Sequence, residues 1–491
     1  MTGAALPGVS LTFERAGSDS EPLRTDVAVF IGRTRRGPVG VPVRVGSWND
    51  VVDTYGPPDG RSATPYALRG FFENEGRAAW VLRLSGPATA SASAPWTGGY
   101  VFVARSPGAW ANGGRITVRY RGSSVAGPPS LTVRVQVPGE PVEILAGVAP
   151  DEVVDRLATS RLISLVENDS GGPIPVDAPI SMSWDLTLTG GADVPPGRDE
   201  YAAAVTAQAE LPEPALVASP DLGTDLAGGD HSDLVLSLLA TCAPLLDRLV
   251  LLDVPPELST VDEVGAWVGA LTDLGDEALL AAAAVYHPPL RVPSLVGTGL
   301  RTVPAAGHVA GLVARLDDER GAASTPANAT LLDAVDLAVE YPEAQQVRLF
   351  EANVDLVRCV RGRGLVVWGG RTLSGDPRRR FVAHRRLLHV LVRAIRRVAA
   401  PLVFDVNSPE LRLTLVRAIT SVLLENFRTG ALAGTRPEQA FRVVCDDTNN
   451  PSTQDPGTVV CDVEVAPAVP MEFVRLRLVL GQDRGLEVIE S

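Results

Sequence analysis

Two amphipathic strands without neighbours stand at opposite ends of the 491-residue chain, and they constrain its folding more than any other feature. Near the C-terminus, "VPMEFVRLRLVL" puts Val474, Leu476, Leu478 and Leu480 on one face, with Phe473, Arg475 and Arg477 on the other. That is the period-two pattern of a half-buried strand. Only "GQDRGLEVIES" follows, with no hairpin partner evident, so its backbone donors and acceptors need a partner from elsewhere. Near the N-terminus, "LPGVSLTFE" alternates in the same way, with Val9, Leu11 and Phe13 on one side and Ser10, Thr12 and Glu14 on the other. The polar stretch "RAGSDSEPLRTD" comes next. Both ends therefore offer strands whose hydrogen bonds the adjacent sequence does not satisfy.

Between these arms the chain is too long for one core and implies roughly three domains. "DVAVFIG", the helical "TPYALRGFFENEG" closed at Gly76, and "AAWVLRL" open in a βαβ-like order. "SGPATASASAPW" marks a boundary, after which "ITVRYRG" and "LTVRVQV" alternate strictly. From about residue 196 helices and strands alternate: "LVLSLLATCAPLL", "DRLVLLDVPP" ending at Asp253, and "ALLAAAAVYHPPLRV". The expected fold class is a mixed α/β, multidomain chain of α/β sandwich domains with some parallel strands and a β-rich insertion. Its expected parts are an N-terminal arm (1–25), a discontinuous α/β domain (26–95 and 196–345), the insertion (96–195), a C-terminal α/β domain (346–468) and a C-terminal arm (469–491).

Composition removes whole classes of chemistry. All 44 basic residues are arginine, so the lysines of a Walker A loop, a pyridoxal Schiff base or a Ser-Lys hydrolase are absent. There is no HExxH, and His384 and His389 lie five apart, about 140° round a helix, off a common face. Cys242, Cys359, Cys445 and Cys461 form no CxxC and read as reduced, mostly buried thiols. No catalytic residue, cofactor or metal site is expected. No stretch nears the ~20 apolar residues of a membrane helix, and the N-terminus lacks a signal-peptide pattern, so a soluble protein made in a cytoplasm is expected.

Charge is placed unevenly. The chain carries −14 overall, yet residues 346–450 hold 18 Arg against 9 Asp plus Glu, a local excess of +9. Within that segment a helix over about 377–399 gathers Leu387, Leu388, Leu391, Ile395 and Val398 on one side. Arg385, Arg386, Arg393, Arg396 and Arg397 fall opposite. A second helix runs from Ser408 as N-cap, with Pro409 at the first helical position, to a stop at Gly430. An arginine-rich surface suits an acidic partner. Two rival readings stay open on these residues: an α/β enzyme using Asp253 at the carboxyl end of its strand, and a nucleic-acid binder using helix 377–399.

An ordered set of motifs resembles the contractile tail sheath proteins, shared by contractile phage tails and phage-tail-like injection systems. Its N-terminal part is "PGV" (7–9), "VAVFIGRTRRGPVGVPVRVGSWNDVVDTYG" and "ALRGFFENEG", followed by "SPGAWANGGRITV" and "LTGGAD" around the insertion. Gly307, Gly311, Arg315, Asp317, Gly321, Pro326 and Asn328 mark a middle segment. "GRGLVVWGGRTL", "TGALAGTRPEQAFRVVCD" and "VEVAPAVPMEFV" complete the series. The resemblance implies a non-enzymatic subunit that polymerises as stacked helical rings around an inner tube and contracts to drive the tube through a target envelope. It also implies that the terminal arms, through Val9, Leu11, Phe13, Phe473, Val474, Leu476, Leu478 and Leu480, add strands to neighbouring copies. Its implied partners are further copies, an inner tube protein, and baseplate and terminal cap proteins, with no nucleic acid and no membrane insertion. Assembly is implied in a bacterial cytoplasm, as part of a phage tail or phage-tail-like particle. In the family the C-terminal domain faces the tube, which makes the five arginines candidate tube or subunit contacts and the helix from Ser408 to Phe427 a substitute.

Overall fold

The computed structural model describes residues 23–490 except 124–127, 168–180, 403–404, 452–457, 469–473 and 482–484, with the last two strands described by backbone alone. Runs such as "AVFIG" and "LVLLD" are apolar at every position, which suits strands covered on both faces. They build a sheet of eight: β1 (Ala28–Gly32), β2 (Val43–Val45), β3 (Ala79–Arg83), β4 (Leu216–Ala218), β5 (Leu249–Asp253), β6 (Ala283–His287), β7 (Val354–Val360) and β8 (Gly364–Trp368). The spatial order is β8-β7-β6-β5-β4-β1-β3-β2, parallel from β7 to β3 and antiparallel at each edge. The mixed α/β class expected from sequence is observed.

Alternate residues serve two cores. Ala28, Phe30, Leu249 and Leu251 face α1 (Thr64–Glu73) and a later helix, Ala306–Arg320. Val29, Ile31, Val250 and Leu252 face α2 (Arg198–Ala209), α3 (Gly228–Cys242) and α4 (Val261–Leu274). The Ala306–Arg320 helix, α5, crosses α1 on glycines. A Cβ on Gly307 would come within 2.5 Å of the Ala67 backbone, one on Gly311 within 2.4 Å of Phe71 O, and one on Gly70 within 2.4 Å of the His308 ring. Real Cβ atoms do not approach so closely, so Gly307 and Gly311 hold the two helices in main-chain contact while Gly70 makes room for the His308 ring. Gly76 acts similarly: the left-handed residue ending α1 is Glu75 (φ 73°), and a Cβ at Gly76 would strike the Phe71 ring.

The insertion has its own core, including Phe102, Ile116, Val118, Leu131, Val133 and Leu188. Strands Arg115–Arg121 and Ser130–Gln136 pair antiparallel and bury alternate residues, as their sequences predict. Glu143–Val148 and Met182–Thr187 flank them in a four-stranded sheet. A backbone bond from Gly86 to Val194 O (2.8 Å) and pairing of Ala90 with Ala192 tie the neck. Strand Ser93–Pro95 pairs with Tyr100–Ala104 inside the insertion, so the insertion opens before residue 96.

The C-terminal boundary also moves. β7 and β8, expected in a domain starting at 346, complete the large sheet through Val285↔Val354 and its neighbours. Beyond them α6 (Val382–Ala399) and α7 (Pro409–Arg428) cover a second sheet of β9 (Phe441–Val444), β10 (Thr458–Val465), β11 (Val474–Gly481) and β12 (Gly485–Glu490). Ser408 caps α7 by accepting from Leu411 N at 3.2 Å. α6 starts later than Pro377 because Phe381 still pairs in extended form with Arg371. Leu388, Leu391, Ile395, Leu415, Ile419, Leu423 and Val463 form the shared core.

Candidate functional site and assembly surfaces

The C-terminal strand has partners on both sides within its own chain. β11 runs antiparallel to β10 from Val465↔Val474 to Thr458↔Gly481, and to β12 from Leu476↔Glu490 to Gly481↔Gly485. The expectation that no hairpin partner follows is thereby corrected. "GLEVIE" is a short strand whose alternation spans too few residues to stand out from a charged tail. Val474, Leu476, Leu478 and Leu480 all fall within this register; Val9, Leu11, Phe13 and Phe473 lie outside the described residues.

The arginine face of α6 turns inward, not toward an open surface. Arg385 and Arg386 are buried, Arg393 and Arg396 half-buried, and Arg397 exposed. Arg386 forms a two-pronged ion pair with Asp317 at the end of α5 and donates to Thr25 O (2.8 Å). Both side chains of that pair are under 5% exposed. Thr25 Oγ1 donates to the same carboxylate at 2.6 Å. Arg393 donates to the carbonyls of Arg24 (2.8 Å), Glu213 (3.1 Å) and Pro214, and Arg396 lies 3.8 Å from Asp247. Burial draws the Arg393 guanidinium down to about 10, opposed by the nearby Asp247 charge. Burial likewise holds His389 neutral, with the surrounding arginines adding to the effect. The expected tube-contact face is therefore, for four of its five arginines, a seam within one chain. Arg386 and Arg396 meet Asp317 and Asp247, and Arg393 meets main-chain carbonyls, which leave no signature in sequence. The face of α7 away from the core exposes Glu410, Leu413, Arg417, Ser421, Glu425 and Arg428 instead, with two charges of each sign.

Asp253 ends β5 beside a cavity of about 200 Å³, whose lining includes Arg33, Asp221, His231, Tyr286 and His287. Several of these polar groups serve the fold, while Asp253 Oδ2, Tyr286 Oη and His287 Nδ1 are buried without a hydrogen-bond partner among the described residues. Asp221 accepts from Ala63 N (2.6 Å), Thr64 Oγ1 (2.7 Å) and Arg33 N (2.9 Å), and His287 Nε2 bonds Tyr341 Oη (2.7 Å). Asp253 Oδ1 accepts from Ala306 N at 2.9 Å, anchoring the start of α5. Burial raises the Asp253 carboxyl from its ordinary 3.8 to about 7. The folded protein therefore takes up this proton more readily than the unfolded chain, and stability falls as pH rises from about 4 to about 7. Asp253→Asn is expected to flatten that decline by up to one proton, at most about 1.4 kcal/mol per pH unit. Urea titrations at several pH values measure the slope; equal slopes in both proteins would refute this assignment. Among the described residues, no group of three or more His, Cys, Asp or Glu is placed to hold a metal, and no helix is long and apolar enough to cross a membrane.

Residues 259–373, from α4 through β8, match the family model of the phage tail sheath protein central domain. Over 184 residues the chain is 30% identical to the tail sheath protein of Enterobacteria phage T4, an alignment covering 36% of this chain and 27% of that protein. The match thus spans about a quarter of that relative's length. Among solved structures, the sheath tail protein of Desulfitobacterium hafniense superposes with a TM-score of 0.66 at 14% identity, covering 96% of this chain and all of that one. The helical sheath of the anti-feeding prophage in its contracted state gives 0.58 at 21% identity, covering 96% and 98%. At such identities the structural matches establish the fold, while the family model and the phage relative reach the sequence itself. Residues 259–373 thus match the central domain of the phage tail sheath proteins, and the chain as a whole has the fold of solved sheath proteins.

Proposed function

We propose that the protein is the sheath subunit of a contractile tail or phage-tail-like injection system. Copies stack as helical rings around an inner tube, and sliding of whole subunits shortens the cylinder and drives the tube through a target envelope. A head-to-tail interface that does not close generates such an array. The observation that best supports this reading is the β11–β12 hairpin. It meets β10 through a backbone ladder that any copy's β10 presents equally. Transfer of that hairpin to a neighbour, together with the N-terminal arm, links subunits by β-augmentation. Polymerisation then uses the edge of β10 that the hairpin covers in the single chain.

In this arrangement the exposed side of α7, not the arginine seam of α6, meets the inner tube, and baseplate and cap proteins terminate the cylinder. The insertion, tied on by its narrow neck, lies on the outside. Assembly takes place in a bacterial cytoplasm. Energy for movement resides in subunit packing, so the cycle requires no catalytic residue. Negative-stain imaging of the purified protein, alone and with its tube protein, tests this directly. Long hollow cylinders are the expected result. Monodisperse particles under both conditions would overturn the proposal.

A further inference from the structure

Cys445 and Cys461 stand opposite each other at the edge of the C-terminal sheet. The β9–β10 register runs from Phe441↔Val465 to Val444↔Asp462, and its next step sets Cys445 against Cys461. Ala466 N donates to Ala440 O at 2.7 Å, just outside the Phe441↔Val465 pair, so that pair is of the narrow, non-hydrogen-bonded kind. Alternation makes Val443↔Val463 and Cys445↔Cys461 narrow too. The side-chain amide of Asn450 confirms this parity by bonding Val460 N (2.6 Å) and O (2.8 Å), the groups a longer β9 would have taken. Narrow pairs have Cα atoms about 4.5 Å apart, inside the roughly 4.4–6.8 Å span of disulfides. Both side chains point into the same core, with Cys445 7% and Cys461 0% exposed.

We infer that Cys445 and Cys461 are an oxidisable pair, and that the disulfide between them locks β9 to β10 and stiffens the ladder on which β11 docks. The neighbouring Cys461 thiol, with the Arg412 charge, holds the Cys445 thiol below its ordinary range against the effect of burial. The Cys445 sulfur and burial push the Cys461 thiol up. Cys445 is therefore the attacking sulfur. Its thiolate displaces one thiol from a small-molecule disulfide to form a mixed disulfide. Cys461 gives up its proton and displaces the second thiol, closing the cross-strand bond. Two protein S–H bonds become one S–S bond, and one small disulfide is reduced to two thiols, a transfer of two electrons and two protons. β9 lies at the sheet's edge, so this pair is reached without opening the large sheet. Nothing in this inference depends on the sheath reading, because the chemistry lies within one chain.

The test uses the full chain carrying Cys359→Ser, which removes the one exposed cysteine. Folded protein is incubated with bis(2-hydroxyethyl) disulfide, quenched in acid, denatured and alkylated with iodoacetamide. Of the three remaining cysteines, only Cys242 is expected to alkylate, and digestion should yield the Cys445 and Cys461 peptides joined; dithiothreitol should restore all three. Amide exchange in β9 and β10 should slow at least about tenfold on oxidation. Three alkylated cysteines, or a stable mercaptoethanol adduct on Cys445 with Cys461 still alkylated, would overturn the pairing. A disulfide that leaves exchange unchanged would overturn the lock.

Discussion

Leu476→Pro is expected to abolish the proposed sedimentable cylinders while the large sheet stays folded. Leu476 sits opposite Val463 on one side and Glu490 on the other, so β11 has neighbours at both edges, and proline there removes a ladder donor whichever way that N–H points. Each lost backbone bond costs only about 0.5–1.5 kcal/mol, but the ring also distorts the adjoining pairs, and the deficit recurs at every subunit of a polymer. Sedimentation measures the cylinders, and circular dichroism with melting checks the fold. Normal cylinders from the proline variant would remove strand pairing from the assembly mechanism. Whether the hairpin crosses between copies is read from a second variant. Glu464 and Arg475 are partners in the β10–β11 register, so Glu464→Cys with Arg475→Cys can be joined by a short bis-maleimide in the Cys359→Ser background. A ladder of multimers on a denaturing gel is expected of cylinders. A single monomer band would mean that each hairpin stays with its own chain.

The other large effect belongs to the seam between the large sheet and the C-terminal domain. Asp317→Ala leaves the buried Arg386 guanidinium without its carboxylate, and stranding a buried charge in this way costs about 3–5 kcal/mol. Calorimetry should show the C-terminal domain melting earlier, as a separate transition or a shoulder. The double variant Asp317→Leu with Arg386→Met should recover most of the loss, because no charge then remains to be desolvated. A single variant within 1 kcal/mol of the parent would show that the three-way contact of Arg386, Asp317 and Thr25 does not hold the domains together.

Elements specified by local pattern were legible in the sequence. The alternation of "ITVRYRG" and "LTVRVQV" gives their strands and even their buried residues, Ser408 and Pro409 give the start of α7, and the apolar run into Asp253 gives β5. Tertiary assignment was not. "GLVVWGG" reads as a buried strand, but nothing in an apolar run says which sheet will take it, and β8 joins the first and not the second. The same gap explains the arginine helix. Its amphipathic period is correct, yet period gives only the angle of a face, and the carbonyls of Arg24, Thr25, Glu213 and Pro214 that receive it are invisible in residue types. Helix α4 did carry a readable signal, the capping box of Thr260 and Glu263.

The glycine crossing of α5 on α1 also fixes where this molecule can flex. Where main chain rests on main chain there are no rotamers to exchange and no side-chain slack to take up, so displacement at one helix passes undiminished to the other. A stiff contact of this kind makes the large sheet and its helices a lever arm. Compliance is left to joints outside this crossing. In the sheath proposed above, two mechanical states can share one subunit shape and differ only in the angles at such joints, and a substitution that softens the crossing would dissipate the proposed stroke inside the subunit instead of delivering it to the neighbour.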